Sequence, residues 1–124
     1  MTTMFYIAAF LAFGVGVAHS ALGERYILVR LFRRTELPKL FGGTVFTMRV
    51  LRFAWHLTTI AWWGFAAILV LLASRSVSPH NVSIVLGSMF LMTGAITFAV
   101  SRGKHLAWPV FVFIGGVCLY AAAG

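Results

Sequence analysis

The stretch "LRFAWHLTTIAWWGFAAILVLLA", residues 51–73, determines the fold of this chain. Between Phe53 and Ala73 it contains no Asp, Glu, Lys or Arg. About 20 helical residues are needed to cross the hydrocarbon core of a bilayer, which is roughly 30 Å thick. The stretch therefore predicts one membrane-spanning helix, which carries His56 near its start and Arg52 one turn earlier on the same face.

Three further uncharged runs are of similar length: Met4 to Leu22, Val82 to Val100 and Leu106 to Ala123. The chain has 124 residues, of which 61% are hydrophobic and 10% charged, and a soluble domain of this length could not bury so much apolar surface. The runs do not alternate as barrel strands of about 10 residues would. We therefore expect an all-α, membrane-embedded four-helix bundle that forms a single domain over residues 1–124. The first run is expected to be retained as a helix, because no basic residue precedes it.

The basic residues are unevenly distributed among the connections. The second connection has only Arg75 and the third has Arg102 and Lys104, whereas seven lie in or beside the first: Arg25, Arg30, Arg33, Arg34, Lys39, Arg49 and Arg52. Positive residues stay on the cytoplasmic side, so we expect a multi-pass inner-membrane protein with connections one and three cytoplasmic and both termini outside, in the periplasm. The formal net charge of +8 fits a bilayer with anionic lipids at the cytoplasmic face. No motif accompanies this charge that would indicate nucleic-acid binding.

The first connection is long enough to contain structure of its own. Its first part, "GERYILVRLFRR" at residues 23–34, has the pattern of a short amphipathic helix. This cytoplasmic segment either extends helix one or lies along the lipid headgroups. The following "TELPKLFGG", residues 35–43, breaks the helix through Pro38 and the Gly42–Gly43 pair, and Thr44 is a candidate N-cap for helix two.

Small residues recur at helical spacing and predict where the helices pack. Helix one has such a stripe at Ala9, Ala12, Gly16, His19 and Gly23, and helix three has one at Ser83, Gly87, Phe90, Gly94, Thr97 and Ser101. Helix two has instead a polar stripe at Arg49, Arg52, His56, Thr59 and Trp63. A polar stripe on an apolar helix is expected to face other helices or a wet cavity, and not lipid.

Three histidines fall within roughly one turn of the same membrane boundary when the four helices alternate in direction: His19, His56 and His105. His80 lies at the opposite boundary. Neutral imidazoles bind zinc, copper, iron and nickel, and two of them on opposing helices can hold a haem iron. We therefore predict a ligand site with the three histidines as metal ligands and three charged neighbours: Glu24, Arg52 and Arg49.

The predicted function is binding of a haem, a transition metal ion or an anionic headgroup at this His/Glu/Arg layer near the cytoplasmic face. Interfacial His, Arg and Trp can also merely anchor helices. A non-catalytic accessory or scaffolding subunit, in a homo-oligomer or with another membrane protein, is therefore the alternative. An oligomeric channel or carrier ranks third, because the deep halves of the helices have few polar residues. We do not expect an enzyme, since the sequence indicates no nucleophile with an adjacent base.

Three segments follow one another along the chain: "AHSALGERYIL" at residues 18–28, "LRFAWHL" at 51–57 and "HLAWPVF" at 105–111. Their arrangement resembles that of small, uncharacterised four-helix inner-membrane proteins of bacteria. The resemblance covers most of the chain. It implies a four-helix membrane fold and carries no known activity and no assigned residues.

Overall fold

A computed structural model describes all residues, 1–124, and contains four helices and no strand. Helix α1 is Thr2–Leu31, α2 is Val45–Ala73, α3 is Pro79–Ser101 and α4 is Ala107–Ala123. The first three are long and apolar enough to cross a membrane by length and composition, and α4 is a shorter apolar helix of 17 residues. The predicted all-helical architecture is therefore confirmed.

The amphipathic segment of the first connection is not a separate helix. Helix α1 is a regular α-helix over Thr2–Leu22, passes into a π-helical segment over Gly23–Leu28, and ends at Leu31. A π-helical segment widens the helix locally, and such segments are frequent at functional sites. Of the two predicted placements, extension of helix one is therefore the one observed.

The irregular remainder of the first connection is held against the start of α2. The Oγ1 hydroxyl of Thr47 donates a hydrogen bond of 2.7 Å to the carbonyl of Pro38. Thr44 directly precedes α2 as predicted, but its side chain makes no capping hydrogen bond. At α3 the cap is complete, because the Ser78 hydroxyl accepts from the backbone N–H of Asn81 at 3.1 Å.

The four helices pack in chain order as an open row. Helix α1 packs on α2, α2 on α3, and α3 on α4, whereas α1 and α4 have no close backbone contact with each other. The outer helices therefore keep large apolar side chains exposed, such as Phe10 at 75% and Phe113 at 72%. The first and third connections meet at one end of the row, where residues of both line one cavity.

The predicted small-residue stripes lie at the helix contacts. In α1, Gly16 lies against Thr59 and Trp63 of α2. In α3, Gly87 lies against Gly115 of α4, so that these two backbones approach closely. The other stripe members that the structure buries are Ala9 and Gly23 in α1, and Gly94, Thr97 and Ser101 in α3. Packing of this kind is how helices associate in lipid.

Candidate functional site

Glu24 of α1 is the centre of a cluster of polar side chains between α1 and α2. Its carboxylate forms an ion pair with Arg52, whose Nη2 lies 2.9 Å from Oε1, and its Oε2 accepts a hydrogen bond from Arg52 Nε at 3.1 Å. The Nε2 atom of His56 lies 3.3 Å from the same Oε2. This paired geometry between a guanidinium and a carboxylate fixes both side chains in orientation.

On its other side, His56 continues the cluster deeper into the helix interface. Its Nδ1 atom lies 2.7 Å from the Ser20 hydroxyl, which lies 2.6 Å from the hydroxyl of Thr59. Thr59 in turn donates to the backbone carbonyl of Gly16 at 3.1 Å. We call these five side chains the polar network: Ser20, Glu24, Arg52, His56 and Thr59.

Helical spacing explains why these residues meet. Gly16, Ser20 and Glu24 are four residues apart on α1 and therefore lie on one face of it. Arg52, His56, Thr59 and Trp63 of the polar stripe of α2 meet that face at spacings of four, three and four residues, as the sequence predicts, whereas Arg49 does not. Ser20 was not predicted as a member of this site, although its position four residues before Glu24 was the available signal.

The proton positions in the network follow from counting donors and acceptors. When Thr59 donates to Gly16, Ser20 donates to Thr59 and accepts from a protonated Nδ1 of His56. Nε2–H of His56 donates to Glu24, so His56 then carries protons on both nitrogens. The same distances also fit an arrangement in which Ser20 donates to Nδ1 of His56 and Thr59 donates to Ser20 instead of to Gly16. The network therefore fits two hydrogen-bonded arrangements.

His19 lies beside the network but is engaged with Trp55. Its Nε2 atom is 3.3 Å from the Trp55 carbonyl, and Trp55 Nε1 donates to the His19 carbonyl at 3.1 Å. The two rings stack with their centroids 4.6 Å apart and an angle of 5° between their planes. His19 and Trp55 thus form a reciprocal pair that joins α1 to α2.

The structure does not bring His105 and Arg49 into the network. The Nδ1 atom of His105 accepts from the backbone N–H of Ala107 at 3.3 Å, at the start of α4, and its ring packs on Phe53. Because α4 joins the row through α3, its first residues stay away from α1. No group of three or more His, Cys, Asp or Glu side chains is placed to hold a metal ion. The three predicted metal ligands are therefore not assembled as one site, and Arg49 lines a separate cavity.

A cavity of about 190 Å³ opens beside the polar network. Its polar lining comes from network members alone: Ser20, His56 and Thr59. Its remaining lining is apolar and comes mostly from α2, with one residue of α3: Phe53, Leu57, Ile60, Trp63 and Ile96. We call it the apolar cavity, since it combines hydrophobic walls with one polar patch.

The order Ser20, His56, Glu24 matches the connectivity of a serine hydrolase triad, in which a base activates a hydroxyl and an acid orients the base. Ser20, however, lies inside α1, where backbone N–H groups are bonded to carbonyls one turn earlier. Stabilising the oxyanion of an acyl transfer requires free donors about 3 Å from it. Ser20 and His56 are therefore a pair that shares a proton, but the arrangement lacks the free N–H donors that acyl transfer uses.

Comparisons of the chain with family models, with curated proteins and with solved structures found no match. The resemblance to small bacterial four-helix proteins therefore stays a prediction. What the chain does has to be inferred from the chemistry of the polar network, of the apolar cavity and of the charged surface at the end of the row.

Proposed function

We propose that the chain is an integral membrane protein that crosses the bilayer four times, with both termini in the periplasm. Three helices of sufficient length, a fourth apolar helix and large exposed apolar side chains on the outer helices support this placement. The first and third connections, which carry nine of the ten basic residues in or beside them, meet at one end of the row. That end would face the cytoplasm.

Reporter fusions test this topology. Alkaline phosphatase fused after Gly124 is expected to be active, because it folds only outside the cytoplasm, and green fluorescent protein fused there is expected to be dark. Fusions placed after Lys39 should give the opposite pair of results. Fluorescence from the Gly124 fusion, or phosphatase activity from the Lys39 fusion, would contradict the proposed orientation.

We further propose that the protein binds a membrane-soluble ligand in the apolar cavity. The observation that carries this proposal is the lining of that cavity, which has apolar walls and a polar patch made of Ser20, His56 and Thr59. Ligand sites in proteins commonly combine such walls with a few placed polar groups. Ionisable side chains inside a membrane mark functional sites more often than not, and Glu24 and Arg52 hold His56 in position.

The hydrogen-bond count defines the chemical class of this ligand. In both arrangements the hydroxyl protons of Ser20 and Thr59 are used in hydrogen bonds to Gly16, to His56 or to each other, and each oxygen keeps a free lone pair. The polar patch therefore offers acceptors and no free hydroxyl donor. An apolar molecule that carries an O–H or N–H donor, such as a lipophilic alcohol, phenol or amine, fits this patch best.

A photoreactive octanol that carries a diazirine is the probe for this site. We expect saturable labelling of Trp63 or Phe53, read by peptide mass spectrometry, and no saturable labelling by the matching octane without the hydroxyl. Thr59→Val should weaken labelling about fivefold, because one hydrogen bond contributes about 1 kcal/mol. Thr58→Val is the matched control, since Thr58 is exposed and bonds only to its own helix. Equal labelling by alcohol and alkane, or equal loss in both variants, would refute the site.

Haem or a transition metal remains a proposed ligand of the same region. Binding of either by His19 and His56 requires both side chains to give up their present hydrogen bonds to Trp55, Ser20 and Glu24. Elemental analysis and an absorption spectrum of the protein purified in mild detergent without a His-tag test this directly. Near-stoichiometric iron, copper or zinc, or a Soret band, would favour a metal ion or haem as the ligand over the lipophilic molecule.

The packing supports the two alternative functions, an accessory subunit and a channel, to different degrees. An accessory role in an oligomer or with another membrane protein fits the exposed outer faces of α1 and α4. A channel through one chain fits less well, because the α1–α2 interface beyond Thr59, where Phe13 and Trp63 stack with their centroids 5.2 Å apart, is lined by apolar residues alone. A polar path across the row therefore ends at the polar network.

A further inference from the structure

We infer that a second cavity, at the end of the row where the first and third connections meet, binds the phosphate of an anionic lipid headgroup. This cavity has a volume of about 290 Å³. Three cationic side chains from separate parts of the chain line it: Arg49 from α2, and Arg102 and Lys104 from the third connection. We call it the basic cavity. It shares no lining residue with the apolar cavity.

The positive charge of the basic cavity is not compensated within the protein. None of its three cations forms an ion pair, and no acidic residue lines it. The chain has only two carboxylates, and Glu24 is already engaged by Arg52 and His56. Three like charges around one space repel each other. An anion that several of them contact at once would relieve that repulsion, and a phosphate group presents its oxygens in several directions.

The form of the cavity suits a phosphate that belongs to a lipid. The Gly42–Gly43 pair forms part of its lining, so backbone is accessible there without side chains in the way. The start of α2, which no side chain caps, adds the partial positive charge of a helix N-terminus to the field of the three cations. Beside these groups lie apolar side chains, Phe41 and Val45, that are 70% and 54% exposed. A charged pocket with an exposed apolar margin matches the boundary between headgroup and acyl chain.

Lys104 already lies at this margin, with its Nζ atom 5.2 Å above the centre of the Phe41 ring. A phosphate in the cavity would therefore contact groups that belong to both connections and would tie the first connection to the third. The lipid as the source of the phosphate rests on the membrane placement proposed above, whereas the anion chemistry of the cavity does not.

The test uses the full chain in neutral detergent and counts bound phosphatidylglycerol by native mass spectrometry, with phosphatidylcholine and inorganic phosphate in parallel. The double variant Arg49→Gln/Lys104→Gln is expected to bind phosphatidylglycerol about 25-fold more weakly, because each cation near a lipid surface strengthens binding about fivefold. The control Arg33→Gln/Arg34→Gln removes the same charge from two exposed positions outside the cavity. This control should keep most of the binding.

Equal weakening in both double variants would overturn the inference, because it would reduce the effect to net charge. Displacement of phosphatidylglycerol by an equal concentration of inorganic phosphate would overturn the assignment to a lipid. Arg49→Lys retains the charge and should bind nearly as well as the unchanged chain, which separates loss of the site from loss of the fold. The reporter fusions and the photolabelling of the apolar cavity are separate experiments. A negative result in either of them is therefore distinguishable from a negative result in the lipid-binding test.

Discussion

Gly23→Ala is expected to push α1 away from α2 beside the polar network. A Cβ atom at Gly23 would overlap the indole ring of Trp55. That ring cannot easily move, because it stacks on His19 and donates to the His19 carbonyl. Overpacking of this kind lowers the free energy of unfolding by about 1–3 kcal/mol. Titration with a denaturing detergent, followed by circular dichroism, measures the change.

Gly14→Ala on the same helix is the matched control. A Cβ atom there would meet nothing within 4 Å, and alanine is the better helix former of the two residues. The control should therefore be as stable as the unchanged chain or slightly more stable. Equal stability of the two variants would mean that Trp55 does not occupy the space beside Gly23.

Gly115→Ala is expected to have the second large effect, at the contact between α3 and α4. The added Cβ would lie 2.9 Å from the carbonyl oxygen of Gly87 and 2.8 Å from the Leu91 side chain. A backbone carbonyl cannot rotate away as the end of a flexible side chain can, so the two helices have to separate. We expect a loss of about 1–3 kcal/mol in the free energy of unfolding, measured by the same detergent titration.

Gly116→Ala provides the comparison one residue further along α4. A Cβ at Gly116 would meet nothing within 4 Å, so the substitution changes composition in the same way without the clash. A loss of stability in this control as large as that in Gly115→Ala would show that α4 tolerates no alanine in this region. The close approach at Gly87 would then not be the cause.

Much of the helical architecture could be predicted, because it depends on local properties of the sequence. The length of each uncharged run predicts a helix, and the spacing of Gly16, Gly23, Gly87 and Gly94 predicts the face that packs. Glu24, Arg52 and His56 lie together in the structure for the same reason, since helical spacing predicts the face of the helix on which each side chain lies.

The order in which the helices pack could not be predicted in this way. Helical spacing gives the face and the depth of His105 but not which helix it meets, and the open row separates it from His19. The role of Ser20 was also missed, because its position four residues before Glu24 gives its face of α1 but not the residue that it contacts. Its partner His56 belongs to another helix, and the contact depends on how closely α1 and α2 approach.

The open row of helices has a consequence for how the protein unfolds. Helices α1 and α2 form one hairpin, held by the polar network and the stacked His19–Trp55 pair, and α3 and α4 form another, held by the Gly87–Gly115 approach. Only one face of α2 joins the two hairpins. We therefore expect each hairpin to act as its own cooperative unit. Local opening is then expected to begin along the seam between α2 and α3, while the bonds around Glu24 remain closed.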